Sequence, residues 1–315
     1  MSRELDKKLK TALNETRLLI LGAQVLLGFQ FQAFFQDGFS ELSQHSRYLS
    51  LFGLVSIVLA VTFLFVPSMQ HRLVEQGRSS TRLIGATSFY AGLGLAPLAL
   101  SLTLSTYVVI GRHFGVAAGL IGGLGLGILS AIAWFGLEYL IGLAPENQIM
   151  DTTETPLGTK IEQLLTEARV IIPGAQALFG FQFVAMLTAG FDRLPQASKV
   201  MHALALGLIA INIVLLMMPA ALHRLSYGGG ESGEFLRIGS ALVIAAPIFL
   251  AGGIATEAYV VLQKVIEDAR WSAGGACATF LAIALCWYAL PIVLRVSRNR
   301  SPVGGRKLKA STRSR

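Results

Sequence analysis

Eight long apolar stretches follow one another along the chain, near residues 18–36, 48–69, 84–110, 116–142, 170–189, 200–221, 238–262 and 274–294. Each is close to or above the roughly 20 residues that a helix needs to cross a bilayer. The stretches are continuous rather than alternating with polar residues, which excludes a closed β-barrel and predicts helices. Ahead of the first stretch, Leu5, Leu9 and Leu13 recur at helical spacing over residues 5–16. That pattern predicts an amphipathic lead-in lying on the membrane surface. Ile161, Leu164, Leu165 and Ala168 form a matching lead-in to the fifth stretch.

The eight stretches are two sets of four. ETRLLILGAQVLLGFQF, residues 15–31, returns without a gap as EARVIIPGAQALFGFQF, residues 167–183, 152 positions later. PSMQHRL at 67–73 returns as PAALHRL at 219–225, and Tyr107-Val108-Val109 as Tyr259-Val260-Val261. Beyond that the register slips by one, with Trp134 answering Trp287. The expected fold class is therefore all-α: a polytopic membrane helix bundle of eight transmembrane helices in two parallel four-helix repeats. The first repeat spans 5–145, a linker 146–156, the second repeat 157–296, and a basic tail, expected to be disordered, 297–315.

Composition supports this picture. Hydrophobic residues make up 53% of the chain, charged residues 14%, and the mean hydropathy is +0.61. Soluble domains carry about 25% charge. With an even number of spans, 20 of the 26 Lys and Arg residues fall on one side. The positive-inside rule then predicts a cytoplasmic (inner) membrane protein with both termini cytoplasmic. Four spans per repeat insert both repeats the same way up, related by an axis along the membrane normal. The first 16 residues are polar and no small-residue cleavage site follows, so the first span is expected to be permanent. The net charge of +8 sits in loops and tail. It predicts attraction to anionic lipid headgroups rather than nucleic acid. Cys277 and Cys286 lie nine residues apart in the last span, cannot bridge each other, and read as small buried apolar residues.

Polar residues inside the apolar stretches are the candidates for function. Gln24, Gln30, Gln176 and Gln182 recur between repeats, and an amide in hydrocarbon needs a partner. They read either as interhelical packing bonds or as the lining of a polar path or solute site. If the protein moves a solute, Gln24 and Gln176, near mid-span in both repeats, are expected to matter more than the two intramembrane acids, Glu138 and Glu257. Those acids have no acidic counterpart in the other repeat and read either as interfacial groups or as proton-coupling sites. Glu15, Arg17, His71 and Arg72 in one repeat, and Glu167, Arg169, His223 and Arg224 in the other, are expected to gather at each repeat's inner mouth. There they would form an ion-pair clamp, or a proton- or anion-handling cluster. Gly115, Gly119, Gly123 and Gly127 form a smooth ridge for close helix packing. No catalytic motif, phosphate loop or metal-ligand cluster is present. No enzyme activity, cofactor or metal is expected.

The repeated unit resembles a bacterial family of uncharacterised four-span membrane proteins. The resemblance rests on ETR/EAR, GAQVLLGFQF/GAQALFGFQF and PxxxHRL. Members are about one repeat long, and some carry the label sodium/proton antiporter. The resemblance implies a fused pair of such units and, through that label, transport of an ion. Two function classes stand open: a small-solute or ion transporter or channel, proton-coupled or not, and a non-transporting membrane scaffold, sensor or stress protein.

Overall fold

The computed structural model describes residues 2–76, 78–136, 152–153, 156–225, 227 and 230–300. It is helical almost throughout. The first repeat comprises α1 (Ser2–Ala33), the short α2 (Asp37–Ser40), α3 (Gln44–Leu73), α4 (Thr81–Phe114) and α5 (Val116–Ala131), which runs on into a π turn at Ile132–Gly136. The second comprises α6 (Leu157–Ala185), the short α7 (Ala189–Asp192), α8 (Gln196–Leu225), α9 (Gly233–Ile266) and α10 (Ala269–Ala284). A second π turn, Leu285–Ala289, leads from α10 into α11 (Leu290–Arg300). Strands β1 (Ser79–Ser80) and β2 (Thr152–Thr153) form one short antiparallel pairing.

The ends of α2, α3 and α4 match those of α7, α8 and α9 at the 152-residue offset. Capping repeats as well: Ser80 Oγ accepts from Leu83 N and Ser232 Oγ from Phe235 N, at equivalent positions. These side chains satisfy otherwise orphaned amides of the first turn. The one-residue slip occurs at the next corner. In the first repeat Gly115 alone turns the chain, at φ +88. In the second, Glu267 adopts the left-handed conformation and Asp268 caps α10 through bonds to Arg270 N and Trp271 N. After the slip, Trp134 and Trp287 each stand third in a π turn.

Among the described residues, seven helices are long and apolar enough to cross a membrane: Gln44–Leu73, Thr81–Phe114, Val116–Phe135, Leu157–Ala185, Gln196–His223, Gly233–Ile266 and Ala269–Ser297. The chain is thus built as a multi-pass membrane protein. The expected eighth, α1, falls short because Arg17, Gln24, Gln30 and Gln32 dilute its apolar run. Its counterpart α6 is the least apolar of the seven, with a mean hydropathy of 1.3. Three local expectations are corrected. Neither lead-in bends away as a separate surface helix, since α1 and α6 are each uninterrupted. Leu9 and Leu13 pack on Leu83, so burial rather than membrane-surface adsorption holds that stretch. The helix also continues four residues into the supposed tail, to Arg300.

Helices α1 and α6 pack along each other, with α3 and α4 against α1, and α8 and α9 against α6. The main core gathers Ile20, Leu27, Phe31, Ile57, Leu64 and Phe65 with Leu178, Ile209, Leu250, Ile254 and Trp287. The repeats therefore share one core. Trp287 fastens it: its ring stacks on Phe65 at 4.5 Å between centroids, and its indole N–H donates to Thr62 O at 2.8 Å. Trp134 is only half-buried. Phe114, Val116, Ile121, Leu124 and Ile128 are exposed on α4 and α5. Apolar surface of that extent suits lipid rather than water.

Gly119, Gly123 and Gly127 lie where α5 meets α4. A Cβ on Gly119 would approach Tyr107 O to 2.8 Å, one on Gly123 Thr103 O to 2.8 Å, and one on Gly127 Thr103 Oγ1 to 2.5 Å. Gly115 stands outside the ridge, in the turn.

Candidate functional site

Among the described residues the bundle buries two clusters of ionisable side chains, one toward each end of α6. The first centres on Glu167, near the start of that helix. Its Oε1 lies 3.1 Å from Arg17 Nη2 and 2.9 Å from His71 Nδ1, and its Oε2 accepts from Arg72 Nε. Arg17 also donates from Nη1 to Asn14 Oδ1 at 2.8 Å. All four cluster residues are buried. His71 and Arg72 occupy the last turn of α3, where the helix dipole favours cations.

This arrangement differs from one mouth per repeat. Glu167 belongs to the second repeat and its three partners to the first, so the cluster bridges the repeats. The mirror set does not assemble. Glu15 and Arg169 are exposed, His223 is half-buried against the Phe235 ring at 4.8 Å, and the Arg224 side chain lies outside the described residues. The physical reason is that α1 and α6 do not bury the same face. On α1 the buried positions include Thr16, Arg17, Ile20, Ala23 and Gln24, and on α6 Gln163, Glu167, Ile171, Gly174 and Ala175. Arg169 and His223 instead line an open groove of about 900 Å³ between α6 and α8, whose other walls are apolar, Ile172, Pro173, Met217 and Met218 among them.

The second cluster lies toward the other end of α6. Glu257 of α9 is fully buried. Its carboxylate is within 2.9–3.0 Å of His202 Nδ1 and accepts from Gln182 Nε2 at 3.2 Å. The His202 Nε2 faces the Gln182 carbonyl oxygen at 2.9 Å. An N–H on Nε2 donates to that carbonyl, and one proton shared between Nδ1 and the Glu257 carboxyl group satisfies the other contact. Phe35 and Phe191 set their rings against His202 at 5.5 and 5.1 Å. Beyond Phe35, whose ring carries Lys264 Nζ at 5.5 Å, lies a pocket of about 390 Å³ lined by Asp37, Arg47, Arg193, Lys264 and Glu267. One aromatic layer thus stands between a charged vestibule and the buried pair.

The same locus in the first repeat has other chemistry. Positions Gln182, His202 and Glu257 correspond to Gln30, Ser50 and Ser105. Gln30 Nε2 donates to Ser101 Oγ at 2.5 Å and to Ser105 Oγ at 3.0 Å. None of these three side chains is ionisable, and the locus opens into a pocket of about 440 Å³ with Arg112 and His113 at its edge.

Gln24 and Gln176 do not face each other. Gln24 is buried against Gly174, where a Cβ would come within 1.8 Å of its Oε1, and its amide meets no hydrogen-bonding side chain or backbone group. Gln176 is exposed. Asn212 of α8 is a second buried amide without a protein partner. Glu138 lies outside the described residues. His202 is the residue that sequence reasoning missed. Its signal was available: Ser50 to His202 and Ser105 to Glu257 are the two changes that turn a neutral locus into an ionisable one. Asn212, which answers Ala60, was missed too.

The comparisons with known proteins bear on the unit rather than on its chemistry. No curated protein and no solved structure matches the chain. Residues 1–138 and 151–291 each match one family, described as a family of unknown function, DUF6328. One matched segment falls on each repeat, and the chain belongs to that family as a tandem pair of its units.

Proposed function

We propose that this is an eight-span membrane protein that moves protons through its helix bundle, by way of the buried His202–Glu257 pair. The observation that carries the reading is the pair itself. A carboxylate and an imidazole held at 2.9–3.0 Å, both fully buried, can pass one proton between them. Burial of such groups is costly unless they are paired, and ionisable residues inside a membrane mark ion and proton pathways. The charged vestibule beyond Phe35 offers access from one side.

The other end of the route is the Glu167 cluster. Glu167 and Gln182 are 15 residues apart on α6, about 22 Å at 1.5 Å per residue. Gln24 and Asn212 fall between these levels along their own helices and are buried without protein partners. Buried amides of this kind ordinarily hold internal water, which would complete a hydrogen-bonded thread. Within it the Glu167 cluster acts as a clamp, because its carboxylate is tied to two arginines. His202–Glu257 is the part free to exchange a proton.

The remaining topology follows the same reading. Two same-position pairs meet across α1 and α6: Lys10 with Glu162 at 2.6 Å, and Phe29 with Phe181 at 4.2 Å between ring centroids. These contacts support parallel repeats about an axis between the two helices. They also support counting α1 as the eighth span, since it runs beside α6 over the same heights. The basic-residue bias supports cytoplasmic termini and an inner-membrane location. The vestibule then faces the periplasm.

The test is proton flux into vesicles containing purified protein and an internal pH dye, driven by an imposed membrane potential. Wild-type protein should acidify the lumen well above protein-free vesicles, and Glu257→Gln should abolish the excess. Wild-type flux no greater than that of the variant would leave the non-transporting scaffold as the reading.

A further inference from the structure

The two repeats carry the same locus in two chemical states. In the second repeat it is closed and ionisable, Gln182–His202–Glu257. In the first it is open, and its core residues Gln30, Ser50 and Ser105 are uncharged where they line a pocket of about 440 Å³ that Arg112 and His113 border. That volume falls within the roughly 300–1,000 Å³ typical of small-molecule sites. We infer that the first-repeat pocket binds a small, uncharged lipophilic molecule that bears a hydrogen-bond donor, as an alcohol or phenol does.

Three observations specify this class. Most of the lining is apolar, Leu26, Phe34 and Val108 included, and no carboxylate lines the pocket. A cation would find no counter-charge there, whereas an uncharged ring or chain finds apolar walls. The polar floor has a defined sense. Gln30 Nε2 is spent on Ser101 and Ser105, while Gln30 Oε1 is buried and accepts from nothing in the protein. A buried acceptor without a donor carries a desolvation cost, which a ligand O–H would remove. Finally, the pocket is bordered by exposed Phe29 and Val109. In a membrane that side opens to lipid, so a lipophilic molecule can enter from the bilayer. At the rim, Arg112 is held by Glu41 Oε2 and Gly38 O, each at 2.6 Å, so its charge is already answered.

Gene duplication accounts for such a pair of sites: one copy of the locus keeps a neutral recognition pocket, and the other acquires His202 and Glu257. The inference rests on the proton-handling reading only for what the bound solute would be coupled to. Binding itself stands on the pocket.

The experiment uses two fluorinated probes of similar shape, 4-fluorophenol and 4-fluorotoluene, with the full-length protein in detergent micelles. Fluorine NMR titration reads the affinity of each. The wild type should bind the phenol at least five-fold more tightly than the toluene. Gln30→Leu should erase that preference. Val109→Trp places an indole at the pocket mouth from an exposed position, which spares the fold, and should weaken both probes at least ten-fold. Glu257→Gln should leave phenol binding unchanged, so a failure of the proton reading is distinguishable from a failure of this one. Equal affinities for the two probes in the wild type would overturn the proposal. So would phenol binding that survives Val109→Trp, or that is lost in Glu257→Gln.

Discussion

The Glu167 cluster makes a prediction in which two positions of equal rank in the repeat behave oppositely. Glu167 and Glu15 sit at the same repeat position, yet Glu167 is buried among Arg17, His71 and Arg72 while Glu15 is exposed. Replacing Glu167 by Gln keeps the shape and removes the charge. Two guanidinium groups are then left buried without a counter-ion. Removing one partner of a buried ion pair costs about 3–5 kcal/mol, and here one carboxylate serves two arginines, so the upper part of that range applies. Because the partners come from both repeats, the loss should also loosen the repeats from each other. Glu15→Gln should shift stability by no more than about 0.5 kcal/mol, the usual size for a surface change. Equilibrium unfolding in mixed micelles, followed by helical circular dichroism, reads both. Equal effects at the two positions would refute the claim that Glu167 ties the repeats together.

Other expectations are smaller. Trp287→Phe should cost about 1 kcal/mol for the lost N–H bond to Thr62 O plus a packing term, while Trp134→Phe should cost less; the same unfolding assay compares them. Gly123→Ala should cost roughly 1–3 kcal/mol by overpacking against Thr103 O, whereas Gly125→Ala meets nothing within 4 Å and should be neutral or slightly stabilising. The Lys10–Glu162 pair, exposed on both sides, should contribute less than about 1 kcal/mol and fade in high salt. A double-mutant cycle at two ionic strengths measures it.

Much of the architecture was legible in the chain. The apolar stretches locate seven of the membrane-length helices, because a span in lipid leaves little choice of conformation. The 152-residue offset gives matching helix ends, and even the slip at Trp134 and Trp287 has a physical seat in the turns at Gly115 and Glu267–Asp268. What was not legible is which face of each helix turns inward. Gln24 and Gln176 share the local sequence GAQ, yet one is buried on Gly174 and the other is exposed. Contacts between α1 and α6 decide that: Lys10–Glu162 and Phe29–Phe181 join equal ranks, but Arg17–Glu167 and Gln24–Gly174 join residues two ranks apart. The same offset moved the charge cluster from within each repeat to between them. His202 was hidden because a lone histidine near a span end carries no signal by itself. Read beside Ser50, and with Glu257 beside Ser105, it marks a locus that changed its chemistry as a unit.

The central claim is that His202 and Glu257 move a proton together, and a double-mutant cycle in proton flux tests it most directly. Wild type, His202→Gln, Glu257→Gln and the double variant are placed in vesicles at equal folded amounts, with Glu162→Gln as an exposed reference. Residues acting as one unit are non-additive, so each single variant should lower flux at least ten-fold. The double variant should fall no further, and the reference should match the wild type. Single variants that keep wild-type flux, or losses that multiply in the double variant, would contradict the account.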